Sequence, residues 1–122
     1  MNDPRDPAIR VMLLPKDTNG HGTIFGGVIL SYIDLAGAVE ARRHTLNPVV
    51  TVAMDKIEFH KPAFVGDVVS FYTALVRRGN TSIKVKVTVE AQRGADPTKV
   101  ALLTEAEVTY VAVDAAGNKT PL

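Results

Sequence analysis

The stretch GVILSYIDLAGAVEARRHT, Gly27 to Thr45, constrains the fold of this chain more than any other segment. Wound as a helix, it places Val28, Leu30, Ile33, Leu35, Ala36, Ala38 and Val39 around most of its circumference. A helix that is apolar nearly all round is a buried helix. Arg42, Arg43 and His44 crowd its last turns, where positive charge complements the helix dipole. Asn47-Pro48 then stops it. At roughly 19 residues it spans about 28 Å, and something of similar length has to wrap it.

The rest of the sequence supplies that wrapping. AIRVMLL, Ala8 to Leu14, reads as a short strand ended by Pro15. After the helix come VVTVAMDKIEF, DVVSFYTALVRR, SIKVKVTVE and VALLTEAEVTYVAV, all rich in β-branched residues. SIKVKVTVE alternates cleanly, with Ile83, Val85, Val87 and Val89 on one face and Lys84, Lys86, Thr88 and Glu90 on the other. HKPAFVGD, Gly79-Asn80 and RGADPT are the turns between them. Tight connections make most of the later strands antiparallel neighbours. The order strand, helix, four strands gives an α+β fold, one long helix in one curled sheet. The edges of that sheet need cover, which points to an oligomer.

Length and composition limit the function classes. The 122 residues suit one domain, 1–122, with residues 1–7 as a loose leader. The formal net charge of +1 offers no broad field for nucleic acid or an anionic membrane. The absence of cysteine removes disulfides, thiolate metal sites and a cysteine nucleophile. His21, His44 and His60 have no ligand-like spacing, so no metal site is expected. MNDPRDPAIR is not a signal peptide and no apolar run is long enough for a membrane span, so a cytoplasmic protein is expected. No nucleophile elbow, phosphate-binding P-loop or dinucleotide fingerprint is present.

Two features carry chemistry. Asp34 lies in mid-helix among apolar neighbours, where a carboxylate is costly unless paired or hydrogen-bonded. It either lies on a narrow solvent-facing stripe or has a task. Ahead of it, DTNGHGTIFGG ends in Gly26 and Gly27 at the helix start. Free N–H groups point outward there, the dipole favours negative charge, and glycine lets a ligand approach. Helix capping and turn geometry alone would also account for the glycines. Asp34 follows Gly26 by about 12 Å along the axis on an adjoining face. Asn19 can donate and accept, although an Asx-turn is its ordinary role. His21 is an ordinary loop histidine by pattern. Arg77 and Arg78, with Gly79, Asn80, Thr81 and Ser82, put cations, hydroxyls and backbone N–H groups in one hairpin suited to a phosphate. His60 and Lys61 form a second small basic group. Both groups also read as solvated turns.

Taken in order, DTNGHGTIFGGVILSYIDLAGA, FHKPAFVGD, RRGNTSIKVKV and YVAVDAAGN resemble the hotdog-fold acyl-coenzyme A thioesterases. The nearest likeness is to the small bacterial acyl-CoA thioester hydrolases of the YciA type and to the brain acyl-CoA hydrolase, from about Leu14 to Asn118. The resemblance implies a hotdog fold, a central helix wrapped by a curled antiparallel sheet of five to six strands. It implies dimers whose sheets join, assembled into hexamers, with active sites at the dimer interface. It implies hydrolysis of acyl-CoA with no cofactor beyond the coenzyme A of the substrate, and a place in fatty acid metabolism. Asp34 matches the catalytic aspartate, as general base or nucleophile. Asn19 matches the catalytic asparagine, supplied by the opposite subunit. Gly26 or Gly27 matches the amide that holds the thioester carbonyl. Relatives often carry arginine after the hairpin glycine, where this chain has Asn80, so contact with the nucleotide phosphates falls to Arg77, Arg78 or a neighbouring subunit. A non-catalytic acyl-CoA sensor and an acyl-CoA hydratase are the alternatives on the same fold.

Overall fold

The computed structural model describes residues 5–122. Strand β1 (Ile9–Met12) leads through a 3-10 turn (Pro15–Asp17) and the glycine loop into helix α1 (Gly26–Ala41). Strands β2 (Val49–Phe59), β3 (Val68–Arg78), β4 (Ser82–Gln92) and β5 (Val100–Ala112) follow. They form one antiparallel sheet in the order β1-β3-β4-β5-β2, curled around α1. Of the expected leader, residues 1–4 lie outside the described part. Arg5 rests on the sheet, forked onto the Glu90 carboxylate at 3.1 and 3.2 Å with its guanidinium over the Tyr72 ring.

The alternation in β4 decides which way the sheet faces. Ile83, Val85, Val87, Val89 and Ala91 are all fully buried and meet Ile29, Ile33, Ala36 and Ala41 of α1. Each of these valines and isoleucines removed from water contributes roughly 1.5–3 kcal/mol. On the outer face Lys86 pairs with Glu105 at 3.2 Å, and Lys84 lies 3.8 Å from Glu107 and 3.9 Å from Asp55. Ion pairs open to solvent in this way add little to stability.

Three features differ from the sequence reading. The helix closes at Ala41, four residues early. Arg43 and His44 donate to the carbonyls of Glu40 and Ala41 at 3.0 Å, a tightening of the last turn that lets the chain reach Pro48. The helix is not buried all round, since Leu35 and Val39 are 55% and 44% exposed on its outer side. Finally, β2 does not neighbour β3. Residues 60–67 cross the end of the sheet instead, so β1 and β2 become its two edges. Strand β2 is almost wholly exposed and carries two register shifts, with Lys56 at φ +50° in the second. Such bulges bend a strand and increase its twist.

Candidate active site

The glycine loop is a closed turn. Thr18 bridges Ile24, and the Asn19 N–H donates to the Thr23 carbonyl at 2.9 Å. The Asn19 side chain reinforces it: Nδ2 donates to Thr23 Oγ1 at 2.9 Å and Oδ1 accepts the His21 N–H at 2.8 Å. That is an Asx-turn, and a carboxamide so engaged keeps one further N–H and one further lone pair. Gly22, at φ +84°, supplies the left-handed residue of the turn. The loop is tied to the crossing segment by the Thr23–Phe64 bridge and by the Ile24 N–H donating to the Ala63 carbonyl at 2.8 Å.

Helix α1 starts without a side-chain cap. Phe25 is the N-cap residue, and the Val28 N–H turns back to its carbonyl at 3.0 Å. Among the described residues, the N–H groups of Gly26 and Gly27 donate to no acceptor. A Cβ on Gly27 would stand 2.6 Å from Cε2 of Phe25, so a larger residue there requires that exposed ring to swing aside. A Cβ on Gly26 would meet only the Phe59 ring, at an ordinary 3.7 Å. The first turn therefore offers two bare donors beside an exposed aromatic ring, at the positive end of the helix dipole.

Asp34 lies about two turns further on, half-buried, facing β2 and β5. Thr51 Oγ1 donates to Asp34 Oδ1 at 2.7 Å. The Tyr110 hydroxyl lies 2.6 Å from the Asp34 main-chain carbonyl and 3.2 Å from Oδ1. Thr51 and Tyr110 are opposed partners across the β2–β5 ladder, so one cross-strand pair delivers both hydroxyls. Among the described residues, Oδ2 accepts no hydrogen bond. Burial drives the Tyr110 phenol upward, and the Asp34 charge beside it adds to that. The hydroxyl is therefore a fixed donor in the ordinary pH range. It reaches α1 only because Gly37 lacks a side chain, since a Cβ there would collide with it. Thr51, Gly37 and Tyr110 are not singled out by the sequence. The one signal for them is a glycine on the buried side of a helix, where a close approach is the usual reason for the residue.

The remaining candidates divide between the two ends of α1. His60 and Lys61 are at the N-terminal end, their N–H groups donating to the Leu103 carbonyl at 2.7 and 3.3 Å. His60 Nε2 is 3.0 Å from Glu105 Oε2. That contact, followed by Lys86, holds the Glu105 carboxyl below the usual carboxylate range. The hairpin Arg77–Ser82 is at the C-terminal end. Arg78 Nη1 donates to the His44 carbonyl at 2.7 Å, the Gly79 N–H to Ser82 at 2.8 Å and the Leu122 N–H to Asn80 at 3.0 Å. Thr81 accepts from the Ala112 N–H at 2.9 Å, and the Arg77 side chain is exposed. One chain therefore brings the glycine loop near His60 and Lys61 but keeps the arginine hairpin a helix length away. Among the described residues, no three His, Asp or Glu side chains are grouped to hold a metal ion, and no helix is long and apolar enough to cross a membrane.

Known proteins are similar to this chain in sequence and in fold. The family model of the thioesterase superfamily matches residues 21–98. An uncharacterized acyl-CoA thioester hydrolase of Zymomonas mobilis is 49% identical over 82 residues, which are 67% of this chain and 55% of that protein. The acyl-CoA thioester hydrolase YciA of Salmonella typhimurium is 40% identical over 116 residues, 93% of this chain and 87% of that protein. The crystal structure of a hexameric hotdog-fold thioesterase of Campylobacter jejuni superposes with a TM-score of 0.90 at 47% identity, covering 99% of this chain and 92% of that one. With the helix, the wrapped sheet and the helix-start glycines in place, the chain belongs to the thioesterase superfamily and has the hotdog fold.

Proposed function

We propose that this protein is an acyl-CoA thioester hydrolase that releases free carboxylic acid and coenzyme A, acting as a hexamer built from dimers. One observation carries the reading of the site: the same helix holds two amides without acceptors at its start and, two turns on, a carboxylate with one oxygen unengaged. The thioester carbonyl accepts from the Gly26 and Gly27 amides, which stabilise the oxyanion as it forms. Asp34 acts through Oδ2. As general base it takes a proton from water while the water oxygen attacks the carbonyl carbon. As nucleophile it attacks that carbon itself and gives a mixed anhydride, which water then opens. In both routes the C–S bond breaks and the sulfur leaves as the coenzyme A thiol. No metal or redox group enters either route.

Within one chain the helix-start amides and Asp34 are about 12 Å apart along the axis, too far to serve one carbonyl carbon. The site is therefore assembled from two subunits, the glycine loop with Asn19 from one and Asp34 from the other. The open β2 edge offers the surface for that pairing. Arg77, Arg78 and the hairpin to Ser82, with His60 and Lys61 of a different subunit, hold the nucleotide phosphates. The same reading takes the enzyme to act in the cytoplasm, in fatty acid metabolism.

The experiment is a coenzyme A release assay, read with a thiol reagent, over straight-chain acyl-CoAs from acetyl to palmitoyl, for wild type and Asp34→Asn. Thiol release by wild type and its loss in the assembled variant support the reading. Full release by the variant removes Asp34 from the mechanism. Tight binding without release by wild type means a sensor.

A further inference from the structure

Tyr110 is buried to 1% exposure on β5, yet its hydroxyl is committed entirely to Asp34, at the main-chain carbonyl and at Oδ1. Three features fix it there. The ring packs in the core. The strand register sets Tyr110 opposite Thr51, whose own hydroxyl is on the same carboxylate oxygen. Gly37, one turn beyond Asp34 on the buried side of α1, leaves the gap through which the hydroxyl reaches the helix. A tyrosine needed only to fill volume would not require a glycine opposite its oxygen.

We propose that Tyr110 is a positioning residue for the thioesterase reaction: it clamps the main chain and Oδ1 of Asp34 so that Oδ2 alone faces the substrate, and Gly37 exists to admit its hydroxyl. This rests on the reading of Asp34 as the acting carboxylate. The phenol has one proton. At 2.6 Å the main-chain carbonyl takes the larger share, which locks α1 against the sheet at the residue that carries the carboxylate. The 3.2 Å approach to Oδ1 adds a weaker attraction for the negative charge. Together with Thr51 it uses up one carboxylate oxygen, which leaves a single rotamer and a single free oxygen.

The test compares Tyr110→Phe, Asp34→Asn and wild type in the assembled hexamer. Tyr110→Phe keeps the ring and loses only the hydroxyl. The expected result is a fall in kcat of about tenfold or more with KM within about twofold, a split that a general loosening of the fold does not give. A ring-fluorinated tyrosine at position 110, a stronger donor of nearly the same shape, changes kcat while KM holds, and it is the informative variant if Tyr110→Phe does not assemble. Wild-type kcat in Tyr110→Phe, or an unmoved kcat in the fluorinated protein, overturns the proposal while an inactive Asp34→Asn leaves the reading of the site standing. Full activity in Asp34→Asn overturns both.

Discussion

Gly37 and Tyr110 occupy one space between helix and sheet: a Cβ added to Gly37 would collide with the phenol oxygen and stand 3.1 Å from Cε2 and Cζ of the ring. Alanine is normally the better helix residue by about 1 kcal/mol. Here the overpacking, at roughly 1–3 kcal/mol, exceeds that gain. Gly37→Ala is expected to lower the melting temperature in a calorimetric scan and to reduce coenzyme A release with it. A higher melting temperature would mean that the hydroxyl is not held against the helix.

Asp34→Asn keeps the volume and the contact from Thr51 while removing the carboxylate. Its kcat should fall by about 100- to 10,000-fold, with the oligomer unchanged by light scattering. A single turnover in 18O-water tests for the anhydride. Label in the Asp34 carboxyl marks a mixed anhydride opened at the aspartyl carbon, and label in the product acid alone marks attack of water at the acyl carbon.

The helix-start amides can be tested one at a time. Gly26→Pro deletes an N–H at the first helical position, where proline suits the backbone and the extended Phe25 tolerates it. The helix should survive, by circular dichroism, while the rate drops by roughly 100- to 1,000-fold. An unchanged rate would move the carbonyl to the Gly27 amide.

Phe59 is 54% exposed, and its ring faces the space in front of Gly26. Phe59→Ala should shift the acyl-CoA panel toward longer or branched chains, read as the ratio of kcat/KM between palmitoyl and acetyl substrates. A panel of unchanged shape would place the acyl chain elsewhere.

Tyr110 also makes an alkaline prediction. Its phenol is raised in the folded protein by burial and by Asp34. It contributes stability in full below the ordinary tyrosine value of about 10. As pH rises above that value the unfolded chain releases the proton and the folded chain does not, so stability falls. Denaturant midpoints measured through this range should decline, and less so in Tyr110→Phe.

Much of this was legible in the residues and some could not be. The alternation of Ile83 to Val89 identified the core face of β4 because one strand carries that information alone. Asp34 stood out for the same reason, as a charge inside an apolar helix. The placement of β2 beside β5 was hidden, since His60 to Asp67 reads as a turn whether it joins neighbours or crosses the sheet. The partners of Asp34 were hidden too. Thr51 and Tyr110 are 17 and 76 positions away, and only the ladder register unites them.

The distance between the start of α1 and Asp34 has a genetic reading. If each site draws its amides and Asn19 from one chain and its carboxylate from the other, defects are counted per site and not per chain. An Asn19 variant and an Asp34 variant, each inactive alone, restore one whole site when they pair. A chain carrying both substitutions spoils both sites of every dimer it joins, and so would act as a dominant poison where either single change is rescued.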